Sequence, residues 1–216
     1  QKTIYVVVNV RGLKETVLKA VDVAVMMRLS ILKPQDNVAD PAMDRAQYVI
    51  MQDLYQQVLH ESTHDNVTGL VNRREFDRLM REAVASAKRD DARHVLLFID
   101  IDKFSAINNS CGYAGGDQLL QNSVKILHDN LPGDAEIARL GGDQFGILLK
   151  SCSLDDALAV AEQKIESIAR SKLEWKGDVY SVTLSMGLVP ISSRSGDVDE
   201  LLLAAESSCN IAKDNG

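Results

Sequence analysis

The sequence predicts an α/β fold of the α+β sandwich type, in which helices surround a central mixed sheet that contains an antiparallel hairpin. The apolar run HVLLFIDID from His94 ends in carboxylates, as a buried strand does when its last residues reach the edge of a sheet. Two strand-like runs, 135–140 and 145–149, flank Gly141-Gly142, a pair that is typical of a tight hairpin turn. Segments with apolar residues at helical spacing lie before and after these strands.

Composition excludes several classes of protein. The chain has 216 residues, 45% hydrophobic and 25% charged, which is an ordinary globular composition with room for one full domain and an appended segment. A net charge of -7 argues against a duplex nucleic-acid binder, and no apolar stretch approaches the roughly 18 residues of a membrane span. The three cysteines are odd in number and have no histidine cluster beside them, so we expect neither a disulfide framework nor a zinc site. We expect the protein to be cytoplasmic, where thiols stay reduced.

The first 64 residues are predicted to precede the main domain. A strand over 3–10, a helix over 13–32 and a proline-containing linker over 33–41 indicate the end of an upstream domain plus a linker, residues 1–41. Residues 42–64 form a predicted connecting helix, which either packs on the protein or pairs with a copy of itself as a signalling helix, although it is too short to count as a coiled coil. Its apolar stripe comprises Met43, Ala46, Ile50, Leu54 and Val58. The missing initiator methionine and the polar C-terminus suggest a piece of a longer protein.

From residue 65 the elements follow one another closely. Asn72 with Glu75 forms a capping box, which opens a helix that we expect to reach about residue 89 before the strand from His94. A second helix is predicted over 115–130, followed by the hairpin. Ser153 begins a helix to about 170, a strand covers 179–189, and the last helix opens at Asp197.

The candidate chemistry lies where the first strand meets the hairpin. Asp100 and Asp143 approach each other if both strands are central in one sheet, and two close carboxylates repel unless a cation such as Mg²⁺ or Mn²⁺ lies between them. Such a cation is most useful when it also bridges phosphates. The alternative is that Asp100, Asp102 and Asp143 are solvated residues at a strand end and a turn.

Three motifs resemble a known family. They are DNVTGLVNRREF from Asp65, FIDIDKFSAINNSCGYAGGDQLL from Phe98 and ARLGGDQF from Ala138, and together they resemble the GGDEF family of diguanylate cyclases over residues 65–216. The resemblance implies a nucleotide-cyclase-like fold and a bacterial signalling protein. Members of the family join two GTP molecules into cyclic di-GMP, each GTP being held by one subunit of a transient antiparallel dimer.

The resemblance also implies roles for individual residues. It assigns Asp100, the carbonyl of Ile101 and Asp143 to the divalent metal, with Asp143 and Gln144 in the catalytic motif. The remaining residues would bind GTP: the backbone at Lys103 and Phe104 would hold phosphate, Asn108 and Asp117 would read guanine, and Gly141, Gly142 and Lys213 complete the set. Without the motif, a helix cap for Asn108, a first-turn acid for Asp117 and a surface lysine for Lys213 are the simpler interpretations.

The chain departs from the family pattern at several positions. Gln144 replaces a glutamate, so it can neither ionise nor add charge to the metal site, and Ser105 replaces a lysine that contacts the phosphates. Further departures are Asn109, Tyr113 and Asn210, together with Pro132 and Ala135 in place of the arginine and aspartate of the product-inhibition site. The metal and guanine residues are retained.

These features predict a GTP-binding regulatory domain of cyclic di-GMP signalling with weak or no cyclase activity, so whether the chain is an enzyme stays open. The alternatives are an active diguanylate cyclase and a nucleotide-free interaction module. We expect GTP, Mg²⁺ or Mn²⁺ and a second copy of the chain as partners, and an EAL phosphodiesterase domain as the C-terminal neighbour in the full-length protein. Nucleic acid and membrane are not expected partners.

Overall fold

The computed structural model describes residues 41–215, without the side chains of residues 41–48, 51, 55 and 173. The predicted strand over 3–10, the helix over 13–32 and most of the linker lie outside the described residues. The chain divides into two compact units, Gln1–Leu54 and Tyr55–Gly216, and the sheet belongs to the second. None of the helices described is both long enough and apolar enough to cross a membrane.

Five helices and seven strands make up the described part of the chain. The helices are α1 (Pro41–Thr63), α2 (Arg73–Asp90), α3 (Phe104–His128), α4 (Leu154–Arg170) and α5 (Val198–Asn215). The strands are β1 (Val71–Asn72), β2 (His94–Ile101), β3 (Glu136–Gly141), β4 (Gln144–Leu149), β5 (Leu173–Trp175), β6 (Asp178–Tyr180) and β7 (Leu184–Ile191).

The central sheet is mixed and has the strand order β1-β3-β4-β2-β7. β1 runs parallel to β3, whereas the β3–β4, β4–β2 and β2–β7 pairs are antiparallel. The predicted fold class, a mixed sheet with an antiparallel hairpin and surrounding helices, is therefore confirmed. β2 lies between β4 and β7, so both of its edges are paired and its end is fixed at the middle of the sheet.

Helices cover both faces of the sheet. Leu97 and Ile99 of β2 point into a cluster with residues of α3 and α4, while Leu96 and Phe98 point into a second cluster with α2 and α5. Because successive side chains of a strand alternate between faces, a strand covered on both sides must be apolar at nearly every position. The continuous apolar run of β2 thus has a structural explanation.

Polar side chains begin the helices at the predicted places. The Asn72 side chain accepts a hydrogen bond from the Glu75 amide at 3.0 Å, and Asp197 accepts one from the Glu200 amide at 2.9 Å. Ser153 caps α4 in the same way. These bonds satisfy amides that the first helical turn leaves without partners.

Two predicted boundaries are wrong. The helix predicted over 115–130 is the second part of α3, which starts at Phe104 and is interrupted at Gly112 (φ 74°, ψ 169°), a backbone conformation outside the helical region. The strand predicted over 179–189 is in fact two strands: β6 pairs with β5 in a separate hairpin, and β7 pairs with β2. Val179 is 57% exposed, whereas β7 is largely buried, so the apolar residues of this stretch belong to two different environments.

At the far end of β2 the structure buries a histidine. His94 is 5% exposed; its Nδ1 accepts a hydrogen bond from the Ser151 amide at 3.1 Å, and its Nε2 lies 2.7 Å from Ser86 Oγ. Since Nδ1 is an acceptor, the proton of the neutral ring is on Nε2. Burial and then the nearby Lys150 charge lower the pKa of His94.

Candidate functional site

Asp100 lies at the end of β2 and is only 6% exposed. In the sheet it is opposite Gln144 of β4 on one side and Ser185 of β7 on the other. The interpretation of Asp100 as a solvated strand-end residue therefore does not hold for this side chain. A carboxylate this deeply buried needs a compensating charge or hydrogen-bond donors.

Asp143 lies in the two-residue turn between β3 and β4. Gly142 has φ 53°, a conformation that costs glycine little, and the Asp143 carbonyl accepts a hydrogen bond from the Ile101 amide at 3.3 Å. The turn is thereby attached to the end of β2. Burial and then the charge of Asp100 raise the pKa of Asp143 above its ordinary value, so Asp143 lies within electrostatic reach of Asp100.

Lys213 supplies the positive charge at this place. Its Nζ lies 2.5 Å from Asp100 Oδ1, and the lysine side chain is 32% exposed while the aspartate side chain is 8% exposed. Burial alone would lower the pKa of Lys213, but the hydrogen bond and charge of Asp100 raise it above its ordinary value. The structure thus brings together Asp100, Asp143 and Lys213 from three separate segments.

Gln144 contributes a donor to the same carboxylate. Its Nε2 lies 3.5 Å from Asp100 Oδ2, at the outer limit of a hydrogen bond. A glutamate at this position would bring a third negative charge, whereas the amide brings N–H groups. The substitution therefore lowers the negative charge of the site.

Asp102 does not join Asp100 in this arrangement. Its two carboxylate oxygens accept hydrogen bonds from Thr183 Oγ1 at 2.6 Å and Ser185 Oγ at 2.8 Å. Asp102 therefore ties the end of β2 to β7, and the second carboxylate of the IDID run has a structural role.

The backbone after β2 forms the start of α3. Lys103 has φ 59°, and the first hydrogen bond of the turn joins the Ala106 amide to the Lys103 carbonyl at 2.9 Å. Amide groups before that bond have no intrahelical partner, which is the property that binds anions at helix N-termini. Phe104 is buried and fixes this turn to the core, while the side chains of Lys103 and Ser105 are exposed.

Asn108 and Asp117 lie on the two parts of α3, on either side of the Gly112 interruption. Asn108 Oδ1 is buried and, among the residues described, has no hydrogen-bond partner. A Cβ on Gly116 would lie 1.9 Å from that oxygen, so the glycine provides the space that Asn108 occupies. Asp117 is exposed. A buried acceptor without a partner, on the same interrupted helix as an exposed carboxylate, is a candidate for recognising a ligand with N–H donors.

Sequence reasoning missed a connection between the first and third motifs. Arg139 donates to Asp65 at 3.0 and 3.2 Å and to the Gly142 carbonyl at 2.9 and 2.7 Å. Asp65 also accepts two hydrogen bonds from Thr68. The segment that enters the domain is therefore attached to the hairpin turn. The signal was available, because Asp65 and Arg139 both occur in the quoted motifs, but no role was assigned to either.

The site offers few carboxylate ligands for a metal ion. Within residues 41–215, no group of three or more His, Cys, Asp or Glu side chains is arranged to hold a metal ion. Two carboxylates and one backbone carbonyl nevertheless fit Mg²⁺, which keeps several waters and commonly binds through one or two carboxylates together with substrate phosphates. The donor set thus fits an ion that arrives with a polyphosphate better than an ion bound by the protein alone.

Comparison with known proteins decides the family. The sequence profile described as "Diguanylate cyclase, GGDEF domain" matches residues 62–216. The chain belongs to the GGDEF family. The resemblance seen in the sequence is thereby confirmed.

Individual relatives agree with this assignment. The chain is 32% identical over 163 residues to DgcE of Escherichia coli K12, named a probable diguanylate cyclase, with 76% of the chain and 15% of DgcE covered. It is 32% identical over 161 residues to MucR of Pseudomonas aeruginosa, a bifunctional diguanylate cyclase and cyclic di-GMP phosphodiesterase, with 74% of the chain and 23% of MucR covered. The chain thus spans less than a quarter of each of these two proteins.

A solved structure supports the fold. The GGDEF domain of TpbB, also called YfiN, from Pseudomonas aeruginosa has a TM-score of 0.67 and 32% sequence identity, with 71% of this chain and 90% of that chain covered. The match extends over most of that isolated domain.

Proposed function

We propose that this GGDEF domain binds Mg·GTP as a regulatory domain of cyclic di-GMP signalling and has weak or no cyclase activity. The observation that carries the proposal is the composition of the site at the end of β2. The charge of Asp100 reaches Asp143 and raises its pKa, which supports a shared cation at these two carboxylates, whereas Gln144 presents an amide donor to Asp100. The site is suited to binding, and the amide at position 144 cannot take part in proton transfer.

Asp100, Asp143 and the Ile101 carbonyl would hold the metal, and the amides at Lys103 and Phe104 with Lys213 would receive the phosphates. The bound ion would neutralise phosphate charge and so assist attack at the α-phosphate. The hydrogen bond from the Ile101 amide to the Asp143 carbonyl attaches the hairpin turn to the end of β2, next to Asp100.

The low expected activity has two causes in the chain. An amide at position 144 cannot accept a proton, and the exposed Ser105 offers no cation to the triphosphate. Removing one group that stabilises transition-state charge costs on the order of 10²-fold or more in rate. An active cyclase is the second candidate, because the metal carboxylates are retained and DgcE and MucR are named for cyclase activity.

Calorimetric titration of GTP in the presence of Mg²⁺ tests the binding proposal. Asp143→Asn removes one metal carboxylate without changing its size and should abolish saturable binding, whereas Asp90→Asn, an exposed residue at the end of α2, should leave binding unchanged. Absence of GTP binding to the unaltered protein would refute the proposal and leave the nucleotide-free interaction module.

Product analysis on the same samples separates regulator from enzyme. The unaltered protein should form little or no cyclic di-GMP, and the Gln144→Glu/Ser105→Lys variant should form substantially more. A matched double variant at exposed positions, Gln163→Glu/Ser207→Lys, should change nothing. If the first double variant folds and binds GTP but gains no activity, these two substitutions do not explain the low rate.

Guanine recognition can be tested at Gly116. A Gly116→Ala substitution would place a methyl group against Asn108 Oδ1 and displace that side chain. We expect GTP affinity to fall while weaker ATP binding is unchanged, and unfolding to shift little because the displaced group is the end of a flexible side chain. Equal loss for both nucleotides would show that Asn108 does not read the base.

We propose that α1 pairs with a second copy of the chain as a signalling helix. Ile50, Leu54 and Val58 are 61%, 59% and 57% exposed, so the predicted apolar stripe is open to solvent at these positions. Leu54→Lys should shift the protein towards monomer in light scattering, and Gln57→Lys on the same helix should not.

We further propose that the neighbour regulated in the full-length protein is an EAL phosphodiesterase domain. MucR combines both activities in one protein, which supports this arrangement. In the full-length protein, Mg·GTP should change the rate of cyclic di-GMP hydrolysis, and Asp143→Asn should remove that response. An unchanged rate would refute the regulatory link.

A further inference from the structure

The last helix is seated directly on the sheet beside the site. A Cβ on Gly187 of β7 would lie 1.9 Å from the Ala205 carbonyl oxygen and 2.7 Å from the Cys209 amide nitrogen, so the backbone of α5 contacts the strand where the strand has no side chain. Cys209 is fully buried, and its Sγ donates to the Ser185 carbonyl at 3.2 Å. This contact fixes both the height and the rotation of α5.

The position of Lys213 follows from this packing of α5 on β7. Lys213 is four residues after Cys209 and therefore lies on the same face of the helix, one turn further on. Ser185, which Cys209 contacts, is the register partner of Asp100 in the neighbouring strand. Lys213 is thus aimed at Asp100 by the docking of α5, and the 2.5 Å ion pair is more than a chance contact of a surface lysine.

The carboxylate of Asp100 is therefore approached on both oxygens, although Oδ1 makes an ion pair without the geometry of a hydrogen bond. Lys213 Nζ lies at Oδ1, and Gln144 Nε2 lies 3.5 Å from Oδ2. Both partners are donors, and one of them carries a full positive charge. A divalent cation can bind Asp100 only by displacing the ammonium group or sharing the carboxylate with it.

We propose that Lys213 is a built-in counter-ion that takes the place of the divalent cation on Asp100 when nucleotide is absent and transfers to the phosphates when Mg·GTP binds. Metal alone then binds weakly, and metal and nucleotide enter together. The inference rests on the proposed function for its second half, the transfer to phosphate, whereas the first half concerns the protein and the cation only.

Titration of Mn²⁺ without nucleotide, followed by the electron paramagnetic resonance signal of the free ion, tests the first half. Lys213→Met keeps an unbranched side chain only one atom shorter and removes its charge, so Mn²⁺ should bind about tenfold more tightly than to the unaltered protein, since no competing charge has to be displaced. Lys88→Met removes the charge of an exposed lysine on α2; it is the matched control and should bind Mn²⁺ like the unaltered protein. Lys213→Gln is a second variant, and circular dichroism confirms folding.

The same variants titrated with Mg·GTP should show the opposite change. Lys213→Met should bind the nucleotide more weakly, because a phosphate partner is lost. A lysine with a purely structural role would not give tighter Mn²⁺ binding together with weaker nucleotide binding. Unchanged, weaker or unmeasurable Mn²⁺ binding by both folded Lys213 variants overturns the inference. If the variant binds Mn²⁺ more tightly but the unaltered protein does not bind GTP, the role of Lys213 as counter-ion of Asp100 stands and the proposed function is refuted.

Discussion

The link between Asp65 and Arg139 allows a quantitative prediction. Arg139→Met removes two contacts to Asp65 and two to the Gly142 carbonyl. The Arg139 side chain is 13% exposed and that of Asp65 is 24% exposed, so the pair is intermediate between a surface ion pair and a buried one. Exposed pairs contribute about 0–1 kcal/mol, and breaking a buried pair costs about 3–5 kcal/mol, so we expect a loss of about 2–3 kcal/mol of unfolding free energy.

Urea unfolding of a double-mutant cycle measures the pair itself. The cycle comprises Arg139→Met, Asp65→Asn and the two combined, and the coupling energy should be at least about 1 kcal/mol. Arg89→Met is the control, because its ion pair with Asp90 involves a side chain that is 71% exposed, and it should change stability by less than about 0.5 kcal/mol. Additive effects of the two substitutions, or a loss at Arg139 no larger than at Arg89, would refute the reasoning.

The ion pair between Asp65 and Arg139 also predicts how the stability of the domain changes at low pH. Burial would raise the pKa of Asp65, but hydrogen bonds from Thr68 and Arg139 outweigh burial and hold the pKa below its ordinary value of 3.8. A carboxyl whose pKa is lowered by folding stabilises the protein above the unfolded value, and that stabilisation disappears as the pH falls through the folded value. Arg139→Met should therefore flatten the decline of stability below about pH 4.

Three further predictions concern other positions. Gly187→Ala should destabilise the domain by about 3 kcal/mol or more in urea unfolding, since the new methyl group meets the Ala205 carbonyl and cannot be accommodated by a side-chain rotation. The lowered pKa of His94 means that the unfolded chain binds the proton more readily, so stability should fall as the pH drops below about 6.5; in His94→Gln this part of the pH profile should be flat, and an unchanged profile would contradict it. Asp102→Asn leaves one carbonyl oxygen to accept from the two hydroxyl groups of Thr183 and Ser185, so it should cost about 1 kcal/mol and leave Mn²⁺ affinity unchanged, whereas loss of Mn²⁺ binding would make Asp102 a metal ligand.

Much of the fold was accessible from the sequence because local patterns agree with tertiary packing. The apolar run of β2, the glycine-containing hairpin turn and the capping box at Asn72 each depend on neighbours in sequence; the first and third lie where they were predicted, and the turn is Gly142-Asp143, one residue later than the Gly141-Gly142 pair. The boundary between β6 and β7 was not accessible, because Val179 and the residues of β7 are equally apolar and differ only in what covers them.

The candidate site, too, could be predicted from the sequence only in part. Motif order identified Asp100, Asp143 and Asn108 as residues of interest, yet the sequence contains no information on which oxygen of Asp100 faces which donor. The ion pair with Lys213 depends on the seat of α5 on Gly187, a contact between segments far apart in the chain. The contact between Arg139 and Asp65 likewise spans 74 positions.

The sequence by itself indicated the family, the order of the long helices and of the main strands, and the types of group available at the site, because these are properties of local pattern and of chemistry at fixed spacing. Tertiary structure alone decided that Asp102 holds β7 while Asp100 faces the site, that Lys213 supplies the positive charge there, and that Asn108 Oδ1 is buried without a partner in the described part of the chain. Side-chain partners of this kind depend on the register of β2 against β7 and on how closely α5 approaches the sheet, and both are set by long-range packing.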